Sequence, residues 1–281
     1  MSTGSRVLVG YDGSVESERA LHWAAEEARL RGLPLDVCHA WRWPYPDSYV
    51  DYEGMAIVKR IGEHILDNGV ALVRSIAPTV QTRTHLMDGP AYAALMHQAH
   101  GAELVVVGTH DDGPAGSTAL QLPARANVPV VVVRRTGTKF GEVVVGTDCS
   151  AGGDAALAFG FEEAALRGWR LRAVYGCWEP SAAPDGDLGM YNDAEKVRRV
   201  CAARLENAVA PWQEKYPQVD VHSSLVMRPP RQALFAAAET ADLLVVGSRG
   251  LGGLDPLALG ATSGAVLQHV PCTVAIVQPA P

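Results

Sequence analysis

Residues 242–277 read DLLVVGSRGLGGLDPLALGATSGAVLQHVPCTVAIV. An apolar run leads into a glycine-rich loop, which leads into a helical pattern and then into a second apolar run. Continuous runs of Val and Leu that are joined through a helix are typical of parallel strands whose two faces are both covered. The stretch therefore predicts a strand–loop–helix–strand segment of an α/β sheet.

The chain contains two copies of one pattern. VLVGYDGS at residues 7–14 returns as VVVGTDCS at residues 143–150. Further along, ELVVVG at residues 103–108 returns as DLLVVG at residues 242–247. Matches that keep the same order at a nearly constant offset indicate a tandem duplication.

The boundary between the copies is expected near Gly137, where polar and glycine residues follow an apolar run. We therefore expect two domains, residues 1–137 and 138–281. Each half alternates apolar runs with helical patterns as βαβαβαβαβ. Ser14 is expected to cap the first helix, because its hydroxyl can accept a hydrogen bond from a first-turn amide. The predicted fold class is α/β, with two tandem, doubly wound, Rossmann-like domains, each a five-stranded parallel sheet in the order 3-2-1-4-5. The last strand of each half is apolar, and we expect the halves to pair through these strands as a pseudo-dimer, with a further homodimer.

The composition excludes several classes of protein. The 281 residues are 48% hydrophobic and 20% charged, which predicts a globular protein with a packed core. The formal net charge of −7 argues against a nucleic-acid partner, because phosphate contacts need a basic face. No apolar run reaches the ~18 residues that span a bilayer, and no secretory pattern opens the chain, so we expect a cytoplasmic protein without a membrane partner. The five cysteines show no CxxC spacing, so we expect neither a disulfide framework nor a metal site.

Two glycine-bearing loops are expected to meet in the second half. In the order 3-2-1-4-5 the first and fourth strands are neighbours, so the loops after Gly146 and Gly247 converge on one crevice. Glycine lets the backbone approach a ligand closely, and the helix after Gly260 offers N–H groups that suit phosphate. The carboxylate of Asp148 can accept hydrogen bonds from a ribose hydroxyl or an adenine amine. These features predict a nucleotide site.

The loop resembles that of the universal stress protein family, whose nucleotide motif is G-x2-G-x9-G-[ST]. Gly247, Gly250 and Gly260 occupy the three glycine positions of that motif. The resemblance covers the whole chain and implies a non-catalytic stress-response regulator that binds ATP, with or without Mg²⁺, often as a dimer. The binding residues that it implies in the second half are Gly146, Thr147, Asp148, Cys177, Gly247, Arg249, Gly250, Gly260, Ala261, Thr262 and Ser263.

The second half departs from the motif at one position. Ala261 stands where the family has Ser or Thr, and Thr262 and Ser263 follow it as substitute hydroxyls. The loop spacing itself is intact. We expect the working site in this half.

The first half has the opposite defect. Gly108 and Gly116 are only eight positions apart, against thirteen between the corresponding glycines of the second half. Asp111 and Asp112 add negative charge where phosphates would lie. We expect a degenerate site here, whose candidate residues are Gly10, Asp12, Gly108, Gly116 and Ser117.

Two alternatives stay open at the level of sequence. One is a protein-interaction module that binds no nucleotide, in which the glycines only form a tight turn and Asp12 and Asp148 only cap helices. The other is a weak ATPase. The chain has no GxxxxGK[ST] loop and no evident general base in the two loops, which argues against the enzyme.

Overall fold

The structure is a computed structural model that describes residues 5–46, 51–110, 115–135, 137–177, 194–250 and 258–279. The chain divides into two compact units, Met1–Thr136 and Gly137–Pro281. They are called the first and the second unit below.

The first unit alternates strands and helices along its length. Its strands are all parallel and lie in the order β3-β2-β1-β4-β5, which is the predicted order 3-2-1-4-5. The elements are β1 (Val7–Gly10), α1 (Val15–Arg31), β2 (Leu35–Trp41), α2 (Tyr52–Ile76), β3 (Thr82–Asp88), α3 (Ala91–Gln98), β4 (Leu104–Gly108), α4 (Ser117–Arg125) and β5 (Val130–Val133).

The second unit repeats this arrangement. Its parallel strands lie in the order β10-β9-β6-β7-β8, which read from the other end is again 3-2-1-4-5. The elements are β6 (Glu142–Gly146), α5 (Ala151–Arg167), β7 (Arg170–Gly176), α6 (Ala194–Lys215), β8 (Val221–Val226), α7 (Pro230–Ala238), β9 (Leu243–Gly247), α8 (Ala261–His269) and β10 (Thr273–Val277). The predicted α/β class and strand order are confirmed in both units.

The core of each unit is its central strands. Residues 7–9 of β1 and 143–145 of β6 are fully buried, and so are residues 105–106 of β4 and 244–245 of β9. Helices cover both faces of a doubly wound sheet, so these strands need apolar side chains at every position instead of at every second one. This explains why the sequence shows continuous apolar runs.

The helix after the first strand has the same ends in both units. Ser14 caps α1 by accepting a hydrogen bond from the Ser17 amide, and Ser150 caps α5 in the same way. Both helices end at a glycine in the left-handed conformation, Gly32 with φ 66° and Gly168 with φ 65°. The predicted cap at Ser14 is confirmed. These caps fix where the first turn of each helix lies over the carboxyl edge of its sheet.

The sequence predicts no disulfide framework, but the structure joins one pair of the five cysteines, Cys177 and Cys201, which are 24 positions apart in the sequence. Cys177 directly follows β7, and Cys201 lies on the face of α6 that also buries Leu205 and Val209. The packing of α6 on the sheet brings the two sulfur atoms together, which no local spacing pattern could reveal.

Across the described ranges, none of the helices combines the length and the apolar character that crossing a bilayer would require.

Candidate functional site

A crevice opens in the second unit where the strand order reverses. β6 and β9 are parallel neighbours, with Gly146 opposite Val246. β7 lies on the far side of β6 and β10 on the far side of β9, so the chain leaves the two central strands toward opposite faces of the sheet. Such a switch point leaves a crevice at the carboxyl ends of the strands, where ligands of doubly wound sheets bind.

One wall of the crevice is the turn between β6 and α5. The Thr147 amide donates to the Val174 carbonyl at 3.0 Å, which fixes the turn to β7. Cys149 then adopts a left-handed conformation with φ 61°, and its amide donates to Thr147 Oγ1 at 3.1 Å. The Ser150 amide donates to Asp148 Oδ1 at 3.0 Å. These bonds hold the Asp148 carboxylate at the carboxyl edge of β6.

The opposite wall is the loop after β9, and it contacts this carboxylate at Gly250. A Cβ atom added to Gly250 would overlap Asp148 Oδ2. Gly250 itself is exposed. Glycine at position 250 therefore lets the loop lie directly against Asp148, so the two predicted binding elements meet in the structure.

Gly247 has a packing role that the first unit shares. A Cβ atom on Gly247 would lie 2.6 Å from the Gly152 carbonyl oxygen, in the first turn of α5. In the first unit, a Cβ atom on Gly108 would overlap the Glu16 carbonyl oxygen in the first turn of α1. The first unit keeps this glycine despite its short loop, so the close approach of helix to strand is sufficient reason for glycine at both positions.

Gly260 differs from these glycines, because the described residues around it leave room for a side chain. It precedes α8 with φ −56°, a conformation that any residue adopts, and among the described residues the nearest atom to an added Cβ is 3.5 Å away. The Gly260 amide donates to the Ser248 carbonyl at 2.8 Å, which closes the loop. The lack of a side chain leaves the start of α8 open to a ligand.

The hydroxyl groups at the start of α8 have unequal roles. Ser263 is buried and its hydroxyl donates to the Gly247 carbonyl at 2.6 Å, so it serves the loop itself. Ala261 is exposed and Thr262 is half-buried. Because the Ser263 hydroxyl is already bonded within the loop, Thr262 is better placed than Ser263 to substitute for the missing hydroxyl at position 261.

Ser248 is a residue of this loop that the sequence reasoning missed. It is 2% exposed, and among the described residues its hydroxyl has no hydrogen-bond partner. Buried hydroxyl groups normally find a partner, so an unsatisfied one beside a glycine loop marks a place for a polar ligand atom or a water molecule. In the sequence, the position of Ser248 between Gly247 and Gly250 was the signal that could have identified it.

Three other predicted residues of the second unit contribute through packing. A Cβ atom on Gly146 would lie 2.8 Å from Leu234 of α7, so this glycine lets α7 pack on the strand end. Arg249 is half-buried, and its carbonyl oxygen lies against Gly152 in the first turn of α5. The sulfur of Cys177 is bonded to Cys201.

The first unit repeats the aspartate turn. Asp12 Oδ1 accepts hydrogen bonds from the Ser14 amide at 3.0 Å and from the Ser14 hydroxyl at 2.6 Å. Burial alone would raise the pKa of Asp12, but the hydrogen bonds from Ser14 and Ser17 outweigh it, so the pKa is lowered and the carboxylate form is favoured. Gly10 lies against Leu95 of α3, as its counterpart in the second unit lies against α7.

The glycine loop of the first unit is built differently. Gly116 begins α4, and its amide donates to Thr109 Oγ1 at 3.3 Å, whereas Gly260 in the second unit donates to a backbone carbonyl. Ser117 is exposed in the first turn of α4. Asp111 and Asp112 lie outside the described residues.

Within the part of the chain that the structure describes, no group of three or more His, Cys, Asp and Glu side chains is arranged to hold a metal ion.

Two five-stranded units, each with an aspartate after its first strand and a glycine at the end of its fourth, define a tandem doubly wound α/β protein. A sequence model of the universal stress protein family matches residues 4–134 and 139–278. Universal stress protein Rv2005c of Mycobacterium tuberculosis is 31% identical over 96% of each chain, and a universal stress protein of Mycolicibacterium smegmatis is 30% identical over 97% of each. The crystal structure of a universal stress protein from Archaeoglobus fulgidus shares the fold with a TM-score of 0.73 at 17% identity, over 99% of this chain and 97% of that one. The chain belongs to the universal stress protein family and carries two copies of its domain.

Proposed function

We propose that the protein is a non-catalytic regulator of the stress response that binds an adenine nucleotide, ATP, in the crevice of the second unit. The observation that carries the proposal is Gly260. The described residues around it leave room for a side chain, and it directly precedes α8 in the same loop that presents Gly250 to Asp148. A ligand that approaches the backbone closely accounts for it.

The residues of the crevice fit the chemistry of such a nucleotide. The carboxylate of Asp148 accepts hydrogen bonds from ribose hydroxyls, and the loop from Gly247 to Gly260 offers backbone to the phosphates. The first turn of α8 adds amide donors and the positive end of the helix dipole, with Thr262 as a hydroxyl donor. Mg²⁺ would be held by the phosphate oxygens of the nucleotide, which are its usual partners.

In a regulatory role, the nucleotide is bound but not hydrolysed. The aspartate of the crevice is held by the turn that caps α5, and the loop has no lysine of the P-loop type. A bound nucleotide can shift the protein between two states only by its difference in affinity for them. Steady-state release of phosphate from ATP tests this point, and turnover that disappears in Asp148→Ala would contradict a purely regulatory role.

Calorimetric titration of nucleotide-stripped protein with Mg-ATP tests the proposal as a whole. We expect about one site per chain, with an affinity that Asp148→Ala lowers about tenfold or more, because a charged hydrogen-bond acceptor is lost. Asp12→Ala is the matched control, since Asp12 makes the same turn in the first unit. It should leave the affinity unchanged. Absence of binding would favour an interaction module that uses no nucleotide.

A homodimer and a cytoplasmic location complete the proposal. The homodimer would be an assembly of two copies of the chain. Light scattering on the purified chain measures the mass, and a monomer at micromolar concentration would remove this part of the proposal. The pairing of the two units through the apolar strands β5 and β10 stays a separate prediction.

A further inference from the structure

The disulfide of the second unit joins two elements beside the crevice. Cys177 follows β7 directly, and its amide donates to the Val226 carbonyl at 2.9 Å. Cys201 lies on the buried face of α6. Both cysteines are 1% exposed. The bond therefore ties α6 to the carboxyl end of β7, the strand adjacent to β6 in the sheet.

Contacts connect this bond to the aspartate turn. Arg204 lies three positions after Cys201 on α6, so the two share one face of the helix. The Arg204 carbonyl accepts a hydrogen bond from Cys149 Sγ at 3.7 Å, and its side chain bonds the Tyr175 hydroxyl of β7. Cys149 directly follows Asp148 and holds the strained left-handed conformation of the turn. The position of α6 thus bears on the conformation of the turn that presents Asp148.

The cysteine pair is specific to the second unit. Cys38 is the one cysteine in residues 1–136, and the sequence of α2, the counterpart of α6, contains none. The unit with the intact glycine spacing is therefore also the unit with the cysteine pair.

We propose that Cys177 and Cys201 form a redox modification site that sets the nucleotide affinity of the second-unit crevice. This inference rests on the proposed function and adds its regulation. With the bond formed, α6 is fixed against β7, and the aspartate turn is held ready for the nucleotide. With two free thiols, α6 is free to shift, and part of the binding energy is spent on ordering the turn.

A peroxide is the class of oxidant that the step requires. The thiolate of one cysteine attacks a peroxide oxygen, the O–O bond breaks, and a sulfenic acid and one water form. The second thiolate attacks the sulfenic sulfur, the S–O bond breaks, and a second water leaves as the S–S bond forms. Two thiols are oxidised by two electrons, and one hydrogen peroxide is reduced to two waters.

The other three cysteines, Cys38, Cys149 and Cys272, are not disulfide-bonded. Formation of an S–S bond needs a second thiol beside the first, so the step is confined to the pair of Cys177 and Cys201.

The test compares the intact chain in two redox states. One sample is reduced with a phosphine, the other is treated with one equivalent of hydrogen peroxide, and free thiols are counted after denaturation. We expect five thiols in the reduced sample and three after oxidation, since one pair is bonded. Titration with Mg-ATP should then give a Kd about fivefold or more higher in the reduced sample, the lower end of typical coupling between sites.

Two variants separate the pair from general oxidation. Cys201→Ser should bind ATP with the reduced-state affinity under both conditions, whereas Cys38→Ser should keep the full redox response. Equal affinities in samples with five and three thiols would overturn the inference and leave the proposed function standing. Five thiols after peroxide treatment would also overturn it. No binding in either state would instead show that the proposed function fails, and the regulation with it.

Discussion

At the scale of single residues, the glycines of the second-unit loop are glycines for different reasons. Gly247 makes room for the first turn of α5, and Gly250 makes room for the Asp148 carboxylate. Gly260 has space for a side chain and an ordinary conformation. A substitution at Gly250 would displace Asp148 itself, so it would not separate the loop from the carboxylate. A substitution at Gly260 leaves Asp148 in place, so it tests the contact between the loop and the ligand alone.

Gly260→Ala should weaken ATP binding about tenfold without unfolding the protein. The added methyl group meets no atom of the described residues closer than 3.5 Å, but it stands where the backbone is expected to meet phosphate. Loss of glycine before a helix should lower the free energy of unfolding by less than about 1 kcal/mol. Calorimetric titration and urea unfolding measure the two effects.

Gly116→Ala is the matched control for this variant. Gly116 precedes α4 in the first unit, and apart from its chain neighbours no atom of the described residues lies within 4 Å of an added Cβ. It should show the same small change in stability and an unchanged affinity for ATP. Equal losses of affinity in both variants would contradict a site confined to the second unit.

Ala261→Ser tests the departure from the family motif. The exposed first position of α8 would regain the hydroxyl that the motif places there, so we expect ATP affinity to rise about fivefold, the value of one added hydrogen bond. Titration of both proteins under one condition measures the change. A lower affinity in Ala261→Ser would mean that the ligand does not approach α8 at this residue.

At the scale of elements, the contact between β9 and α5 depends on a small residue. Gly247→Ala should lower the free energy of unfolding by about 1–3 kcal/mol, because a methyl group would lie 2.6 Å from the Gly152 carbonyl oxygen and overpack the contact. Urea unfolding measures this loss. Gly264 lies inside α8, and outside that helix's backbone no atom of the described residues comes within 4 Å of an added Cβ. Gly264→Ala should therefore leave stability equal or slightly higher. Equal effects of the two variants would show that the helix does not press on the strand end.

The elements also show how far the sequence alone predicts this structure. Internal repetition and continuous apolar runs predicted both sheets, and the serine after the aspartate predicted the cap of α1, because these signals are local. The disulfide was not predictable, since it depends on where α6 packs. The same holds for Ser263 and Ser248, whose hydroxyl environments depend on the path of the loop. The disulfide and the environments of both hydroxyls depend on packing geometry, which the spacing of residues in the sequence does not reveal.

At the scale of the whole molecule, duplication has left two crevices of unequal character. Both units keep the aspartate turn and the glycine at the end of the fourth strand, because the fold of each unit uses them. Only the second unit keeps the full glycine spacing, and only there do the cysteines form a pair. We therefore predict that the second unit binds the nucleotide and that the first unit does not.

Amide hydrogen exchange with and without Mg-ATP shows which of the two units binds the nucleotide, because binding suppresses local opening where the ligand contacts the chain. We predict slower exchange at residues 146–150, 243–250 and 258–264, and unchanged exchange at the matching residues 10–14, 104–110 and 115–120 of the first unit. Protection in the first unit with none in the second, or no protection anywhere at saturating nucleotide, would contradict the account.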